Sequence, residues 1–338
     1  MKHPILKATL AASLLALAAS SATAATLDDV KAKGFVQCGV NTGLAGFAAP
    51  NDKGEWSGFD VDYCRALAAA IFGDPTKVKF SPLSAKDRFT ALASGDVDVL
   101  IRNTTWTMSR DYQGMDFPAI NYFDGQGFMV KKSAKISSAL ELSGATVCVQ
   151  QGTTTELNLA DFFRANNLPF TAVTFATSDE TIHAYDSGRC DAFTTDASAL
   201  YAERLRLTAP DDNMVLPEII SKEPFSAAVR HGDNQWGDIV RWTHYALLTA
   251  EEDGVTQANL DEMLKSDKPD IKRLLGDEGD FGVGLGLDNK WAYNIIKALG
   301  NYGEVFERNL GAASPLKVER GYNMLWTKKG LQYAPPIR

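Results

Sequence analysis

Three places in this 338-residue chain combine residue types that could hold a small charged molecule. The run Thr105-Trp106-Thr107-Met108-Ser109-Arg110 ends in an arginine. Its planar, permanently charged guanidinium can bond both oxygens of a carboxylate. Thr153-Thr154-Thr155-Glu156 reads as a capping box that opens a helix running to about residue 166. The Thr154 amide, one of the unpaired N–H groups of that helix start, is a natural donor to an anion. Asp196 follows the apolar Ala192-Phe193 at a strand end and offers a carboxylate to a cation. Each has a plainer reading: Arg110 as a solvated surface residue, Thr153 as an ordinary cap, Asp196 as the N-cap of a helix through 199–204. Cap and ligand roles coexist at the second place, where the Thr153 side chain serves the helix and the Thr154 N–H points outward. Other chemistry is not signalled. There is no HExxH, GxSxG or phosphate-loop pattern and no CxxC pair to support zinc, and His183, His231 and His244 have no evident partner. Gly282-Val283-Gly284-Leu285-Gly286 follows no expected strand and reads as a loop, not a dinucleotide fingerprint.

Such side chains act only where a backbone fixes them. The first half of the chain reads strand, helix, strand, helix, strand over residues 35–40, 62–72, 78–80, 87–94 and 97–101, the alternation of an α/β sheet. Its first helix has Asp60 as N-cap, apolar residues at Val61, Cys64, Leu67, Ala68 and Ile71, and Gly73 as terminator. The same order returns over 146–150, 154–166, 172–175, 179–187 and 190–193. Ser94-Gly95-Asp96-Val97-Asp98 is echoed by Ser187-Gly188-Arg189-Cys190-Asp191. Polar residues follow the last strand of each half, the location where open α/β sheets bind ligands. Two lobes are expected, joined at the flexible Asp124-Gly125-Gln126-Gly127 with a return near 222–226, so that two crossings make a hinge. Beyond it, a helix over about 235–250 turns Trp236, Ile239, Val240, Thr243, Ala246 and Leu247 toward the first lobe. The first lobe then comprises 25–125 and 225–338, and the second 126–224. A C-terminal extension from about 265 holds helices around 291–299 and 304–309 and an irregular tail.

Composition bounds the alternatives. With 45% hydrophobic and 22% charged residues the chain is an ordinary globular one, long enough for about two domains. Asp plus Glu number 42 against 34 Lys plus Arg, the opposite of a nucleic-acid binder's balance. Residues 1–24 read as a secretory signal peptide: Lys2, His3 and Lys7, an apolar run over 8–19, then Ala22-Thr23-Ala24. The run is far shorter than the roughly 20 residues of a membrane span, and no membrane insertion is expected. Export to an oxidising compartment favours pairing of Cys38, Cys64, Cys148 and Cys190. Sequence alone leaves three connectivities open. If each lobe closes its own bridge, Cys38 pairs with Cys64 and Cys148 with Cys190.

Gly58-Phe59-Asp60-Val61-Asp62, followed by the apolar helix, resembles the signature of bacterial extracellular solute-binding proteins of family 3, which take polar amino acids. The resemblance extends over most of residues 27–260. Thr105 to Arg110 is similar to the family's serine-or-threonine run ending in a ligand-binding Arg, Gln151-Gly152-Thr153-Thr154-Thr155 to its second-lobe anion loop, and Thr195-Asp196 to its ammonium-binding Asp. Length and the extended C-terminus look most like the general L-amino acid binding proteins of Gram-negative ABC transporters. The resemblance implies a type II periplasmic binding protein, with two Rossmann-like lobes, a hinge and a helical C-terminal extension on the first lobe. It implies a periplasmic monomer that captures a free L-amino acid, acidic and amide side chains included, and delivers it to a membrane ABC permease without cofactor, metal or nucleic acid. Arg110 and the Thr154 amide would take the ligand carboxylate; Asp196, the Asn103 carbonyl and the Thr105 hydroxyl would take the ammonium. Around the ligand side chain the corresponding regions offer Leu44, Phe47 and Leu83, with Gln150 opposite. Arg102 either pairs with an acidic or amide side chain of the ligand or is a strand-end surface charge. Trp106 and Tyr63 depart from the family's pattern. The other reading is an exported enzyme on the same scaffold, such as a cyclohexadienyl-type dehydratase, which would need a placed acid or base beyond the binding set.

Overall fold

A computed structural model describes residues 26–338, and the expected signal segment lies outside the described residues. Two sheets organise the chain. In the first, the strand Val36–Asn41 lies between Val78–Leu83 and Val99–Leu100, all parallel. The helices Phe59–Phe72 and Arg88–Ser94 make its crossovers. The second sheet runs Thr171–Phe175, Thr146–Gln150, Ala192–Asp196, Gln126–Lys131, Asn213–Val215, with the first three strands parallel and the rest antiparallel. Parallel strands covered on both faces are apolar throughout, and Val147, Cys148 and Val149 are fully buried. The last parallel strand begins at Ala192 rather than 190, because the Asp191 carboxylate binds the Thr146 amide (2.8 Å) and hydroxyl (2.6 Å). Each sheet unit closes one disulfide, Cys38–Cys64 and Cys148–Cys190.

The first long helix starts differently from its sequence pattern. Its N-cap is Gly58, with no side-chain cap, and Asp60 lies inside the first turn. The Phe59 and Asp60 amides instead donate to the carbonyls of Gly46 (2.8 Å) and Phe47 (2.9 Å), a passing loop that satisfies the helix start. At Gly58, φ is 130° and a Cβ would lie 2.2 Å from the Phe47 carbonyl oxygen, so only glycine fits. Gly73 ends the helix in the left-handed conformation, as its pattern requires. Residues 281–284 form one helical turn where a loop was expected.

The chain passes between the sheets through the strands Ile120–Asp124 and Glu223–Ser226, which pair antiparallel with Glu223 opposite Asp124. Gly125 is not a flexible spacer here. A Cβ on it would meet the Ile219 side chain at 2.1 Å and the Ser221 carbonyl oxygen at 2.8 Å, so its smallness permits a close crossing. The helix Asn234–Glu252 buries the apolar face read from its sequence. The C-terminal helices Trp291–Leu299 and Tyr302–Asn309 pack on it and on Phe59–Phe72. Buried Asp62 anchors them, accepting from Arg308 Nε (2.8 Å) and Asn309 Nδ2 (2.7 Å). The tail reaches the hinge. Asn323 exchanges two hydrogen bonds with the Phe123 backbone (2.7 and 3.0 Å), and Gln332 Nε2 donates to the Asn121 carbonyl (3.2 Å), covering the free edge of the hinge strand. Among the described residues no helix is long and apolar enough to cross a membrane.

His231 and His244 do have partners. His231 Nε2 lies 3.1 Å from an Asp116 oxygen. His244 is buried, with Tyr63 Oη 2.7 Å from Nδ1 and Gln332 Oε1 3.2 Å from Nε2. Since an amide oxygen only accepts, Nε2 carries the proton and Nδ1 accepts from the tyrosine. Burial pushes His244 down to about 4. The unfolded chain protonates it near its ordinary value of 6.5, so the stability of the neutral form is complete above that pH and is lost as pH falls toward 4. Relative to His244→Gln, the wild type should therefore lose on the order of 3 kcal/mol between pH 7 and pH 4 in urea unfolding. Parallel pH profiles of the two proteins would contradict this.

Candidate functional site

The carboxyl ends of the parallel strands of the two sheets meet at a cavity. From the first sheet it takes Asn41 at the end of the central strand and Leu44 beyond it, Arg88 from the helix Arg88–Ser94, and Arg102, Asn103 and Thr105 beyond Val99–Leu100. From the second it takes Gln150 at a strand end, Thr153 and Thr154 at the start of Thr154–Ala165, and Thr195 and Asp196. Of the residues singled out in the sequence, Leu44, Arg102, Asn103, Thr105, Gln150, Thr154 and Asp196 are thus brought together. A second, much smaller space, lined by Leu67, Ile101 and Val240 among others, is too apolar to satisfy a charged guest.

Asp196 ends its strand and is buried. It occupies the N-cap position of the helix Ala197–Arg204 but makes no side-chain cap bond, and instead its Oδ2 accepts from Asn103 Nδ2 at 3.2 Å. Asn103 has a left-handed φ of 35° and is set by two contacts: its amide donates to Asp60 Oδ2 (2.9 Å), and its Oδ1 accepts from Asn41 Nδ2 (3.0 Å). Asp60, read from sequence as a cap, therefore holds the backbone of the site, and burial pushes it up to about 7. Burial also raises Asp196 well above the carboxylate range. The Asp124 and Glu223 charges add to the rise, while the Asn103 bond and Arg88 oppose it.

The cations differ from those expected. Arg102 is only 5% exposed, which excludes a strand-end surface charge. Its Nε donates to the Leu83 carbonyl (2.9 Å), and burial lowers it to about 10. Leu83 enters through that carbonyl. Arg88, which sequence reasoning missed, is 3% exposed; its Nε has no partner, and its guanidinium stacks on Phe89 at 4.7 Å. Burial lowers it well below the usual value, with the nearby charges of Arg102 and Arg110 adding. A signal existed: a cation in the first turn of a helix opposes the helix dipole. Arg110 does not line the cavity. Thr107 caps the short helix Met108–Tyr112, and the buried Arg110 guanidinium donates back to the Thr105 carbonyl (2.7 Å) beside the Phe89 ring. Among the described residues, none of these three guanidiniums comes within 4.0 Å of a carboxylate oxygen.

Phe47 also stands outside the cavity, fully buried against Phe59, Tyr122 and Phe225 in an aromatic core. Trp106 stacks on Phe117 and Tyr63 hydrogen-bonds to His244, so neither departure from the family pattern touches the site. Thr153 caps its helix by accepting from the Glu156 amide (3.2 Å), but Glu156 reaches the Gly152 amide (2.9 Å) and not Thr153, leaving half a capping box. The hydroxyls of Thr105 and Thr154 both donate to Glu223 Oε2 (2.6 and 2.8 Å). Nothing in the sequence pattern flagged Glu223. Taken together, the cavity can hold a molecule carrying both a cationic and an anionic group.

Residues 36–266 match the profile of the bacterial extracellular solute-binding proteins, family 3. The chain is 62% identical to the general L-amino acid-binding periplasmic protein of Rhizobium johnstonii, with both chains fully covered. It is 59% identical to the glutamate/glutamine/aspartate/asparagine-binding protein of Rhodobacter capsulatus over 96% of this chain and 97% of that one. Among solved structures it is similar to an ABC transporter periplasmic binding protein from Brucella ovis with glutathione bound, at a TM-score of 0.92 and 68% identity, covering 93% of this chain and all of that one.

A buried guanidinium that closes no contact ion pair lowers the stability of the protein. Arg88→Met should raise the stability of the ligand-free chain by roughly 1–4 kcal/mol, seen as a higher melting temperature in scanning calorimetry. A lower one would mean that Arg88 is compensated after all.

Proposed function

The chain belongs to the bacterial extracellular solute-binding proteins of family 3, and from that premise we propose how its cavity works. It is the periplasmic substrate-binding component of an ABC transporter, capturing L-amino acids and delivering them to the membrane permease. Residues 1–24 direct export. The lobes are 25–125 with 225–338, and 126–224, and they close as a monomer about the strands Ile120–Asp124 and Glu223–Ser226. The observation that carries this reading is one cavity at facing strand ends, with Asp196 and buried guanidiniums around it.

In this reading Asp196 accepts the ligand ammonium, with the Asn103 carbonyl and the Thr105 hydroxyl. The α-carboxylate takes the Thr154 amide and, once the Arg110 guanidinium turns from behind Thr105 toward the cavity on ligand binding, the Arg110 N–H groups left free by its bond to the Thr105 carbonyl. Arg102 and Arg88 receive the second carboxylate or amide of an acidic or amide side chain, which suits the Rhodobacter capsulatus relative that binds such amino acids. Glutathione ends in a γ-glutamyl group that is itself a free amino acid head, so the Brucella ovis neighbour supports recognition of that head with a variable remainder. The ligand bridges both lobes, and its differential contacts favour the closed state. The dehydratase reading is less favoured because the relatives named above are binding proteins. Among the described residues no histidine lines the cavity; His244 is enclosed by Tyr63 and Gln332.

Differential scanning fluorimetry with the twenty L-amino acids should give the largest shifts for Glu, Gln, Asp and Asn. Response to none of them would reject the reading, and absorbance evidence of conversion of a prephenate-type substrate would favour the enzyme. Arg110→Ala should cost roughly 3–5 kcal/mol of binding by calorimetry, whereas unchanged affinity would remove Arg110 from the site. Because burial raises Asp196, an ammonium beside it opposes that rise and links binding to proton release. Affinity should therefore rise with pH through the Asp196 titration, and Asp196→Asn should both weaken binding and flatten that slope.

A further inference from the structure

Glu223 is the most heavily bonded carboxylate near the cavity and has no role in the reading above. It opens the hinge strand Glu223–Ser226 and is 1% exposed. Its Oε2 accepts from Thr105 Oγ1 (2.6 Å) and Thr154 Oγ1 (2.8 Å), and its Oε1 from Asn158 Nδ2 (2.6 Å) and Ser221 Oγ (2.7 Å). The four donors come from three separate places: the turn after the first sheet, the helix start after the second, and the hinge itself. They meet only when the two sheets stand in this relation.

An ionised carboxylate can only accept, and a threonine hydroxyl has a single proton. With that proton committed to Glu223, each threonine turns only lone pairs toward the cavity both line. The two hydroxyl oxygens are 3.5 Å apart, and neither has a proton left for the other. We propose that Glu223 is a positioning residue that fixes the Thr105 and Thr154 hydroxyls as acceptors, so that this wall of the cavity selects an ammonium group and does so only when the lobes are closed. This rests on the amino-acid reading of the cavity.

Glu223→Gln keeps size and shape but adds an NH2 group that must donate. Where that NH2 takes the Oε2 place, the Thr105 and Thr154 hydroxyls must both accept from it and turn their protons toward the incoming ammonium. Calorimetry with L-glutamine as probe compares wild type with Glu223→Gln, and the Thr105→Val/Thr154→Val pair with and without Glu223→Gln. The expected result is a loss of tenfold or more in wild type and of less than twofold in the valine background, where no hydroxyl remains to orient. A merely structural role predicts the same loss in both backgrounds, and that outcome, or no loss in wild type, overturns the proposal. The corresponding alanine pair serves if the valine pair does not fold. A wild type that ignores L-glutamine and every other L-amino acid overturns the reading of the cavity itself, whereas a wild type that binds, with equal losses in the variants, overturns only the role of Glu223.

Discussion

Taking a charged side chain out of water costs several kcal/mol unless an opposite charge or full hydrogen bonding replaces the solvent. Arg88 and Arg102 on one side of the cavity and Asp196 on the other are buried, yet no guanidinium there closes an ion pair with a carboxylate. The rest of the chain holds these groups apart. Asn103 stands between Asp60 and Asp196, the Leu83 carbonyl takes Arg102 Nε, and the Thr105 carbonyl takes Arg110. Charges of both signs therefore stand around the cavity without closing an ion pair between them.

The architecture serves that separation. Both sheets end their parallel strands at the cavity, so short loops deliver polar side chains while apolar strand interiors anchor them. The two hinge strands carry Asp124 and Glu223 opposite one another, at the point where motion of one lobe against the other must be absorbed. Burial and the neighbouring Glu223 charge push Asp124 up to about 7. The C-terminal extension, with Asn323 and Gln332 on the hinge strand's outer edge and Arg308 on Asp62, braces one side of the crossing. Opening and closing therefore pivots on a backbone whose free edge is already occupied.

Much of this was legible from local pattern. The strand Thr146–Gln150, the helix that Thr153 caps, the amphipathic helix after the hinge and the disulfide partners each depend on neighbours a few residues away or on one sheet's connectivity. That Asp196 lines the cavity was legible because the carboxyl end of a parallel strand is a fixed place in such a fold, whereas Asn103 came from the family resemblance. Asp60 was misread, since aspartate before an apolar helix is the ordinary mark of a cap. Only the approach of the loop at Gly46 and Phe47 satisfies that helix start and frees Asp60 to hold Asn103.

Hydrophobic periodicity, glycine terminators and cap residues act over one or two turns, so the chain by itself determined the order of elements, the paired architecture and the family signature. Where a long side chain goes depends on what stands several ångströms away from a distant part of the chain. Tertiary structure alone decided that Arg110 turns behind Thr105, that Phe47 joins an aromatic core and that Arg88 faces the cavity. It also placed Glu223 beneath hydroxyls 118 and 69 residues earlier in the chain. Charges and hydrogen bonds are matched through space, and no local pattern records that matching.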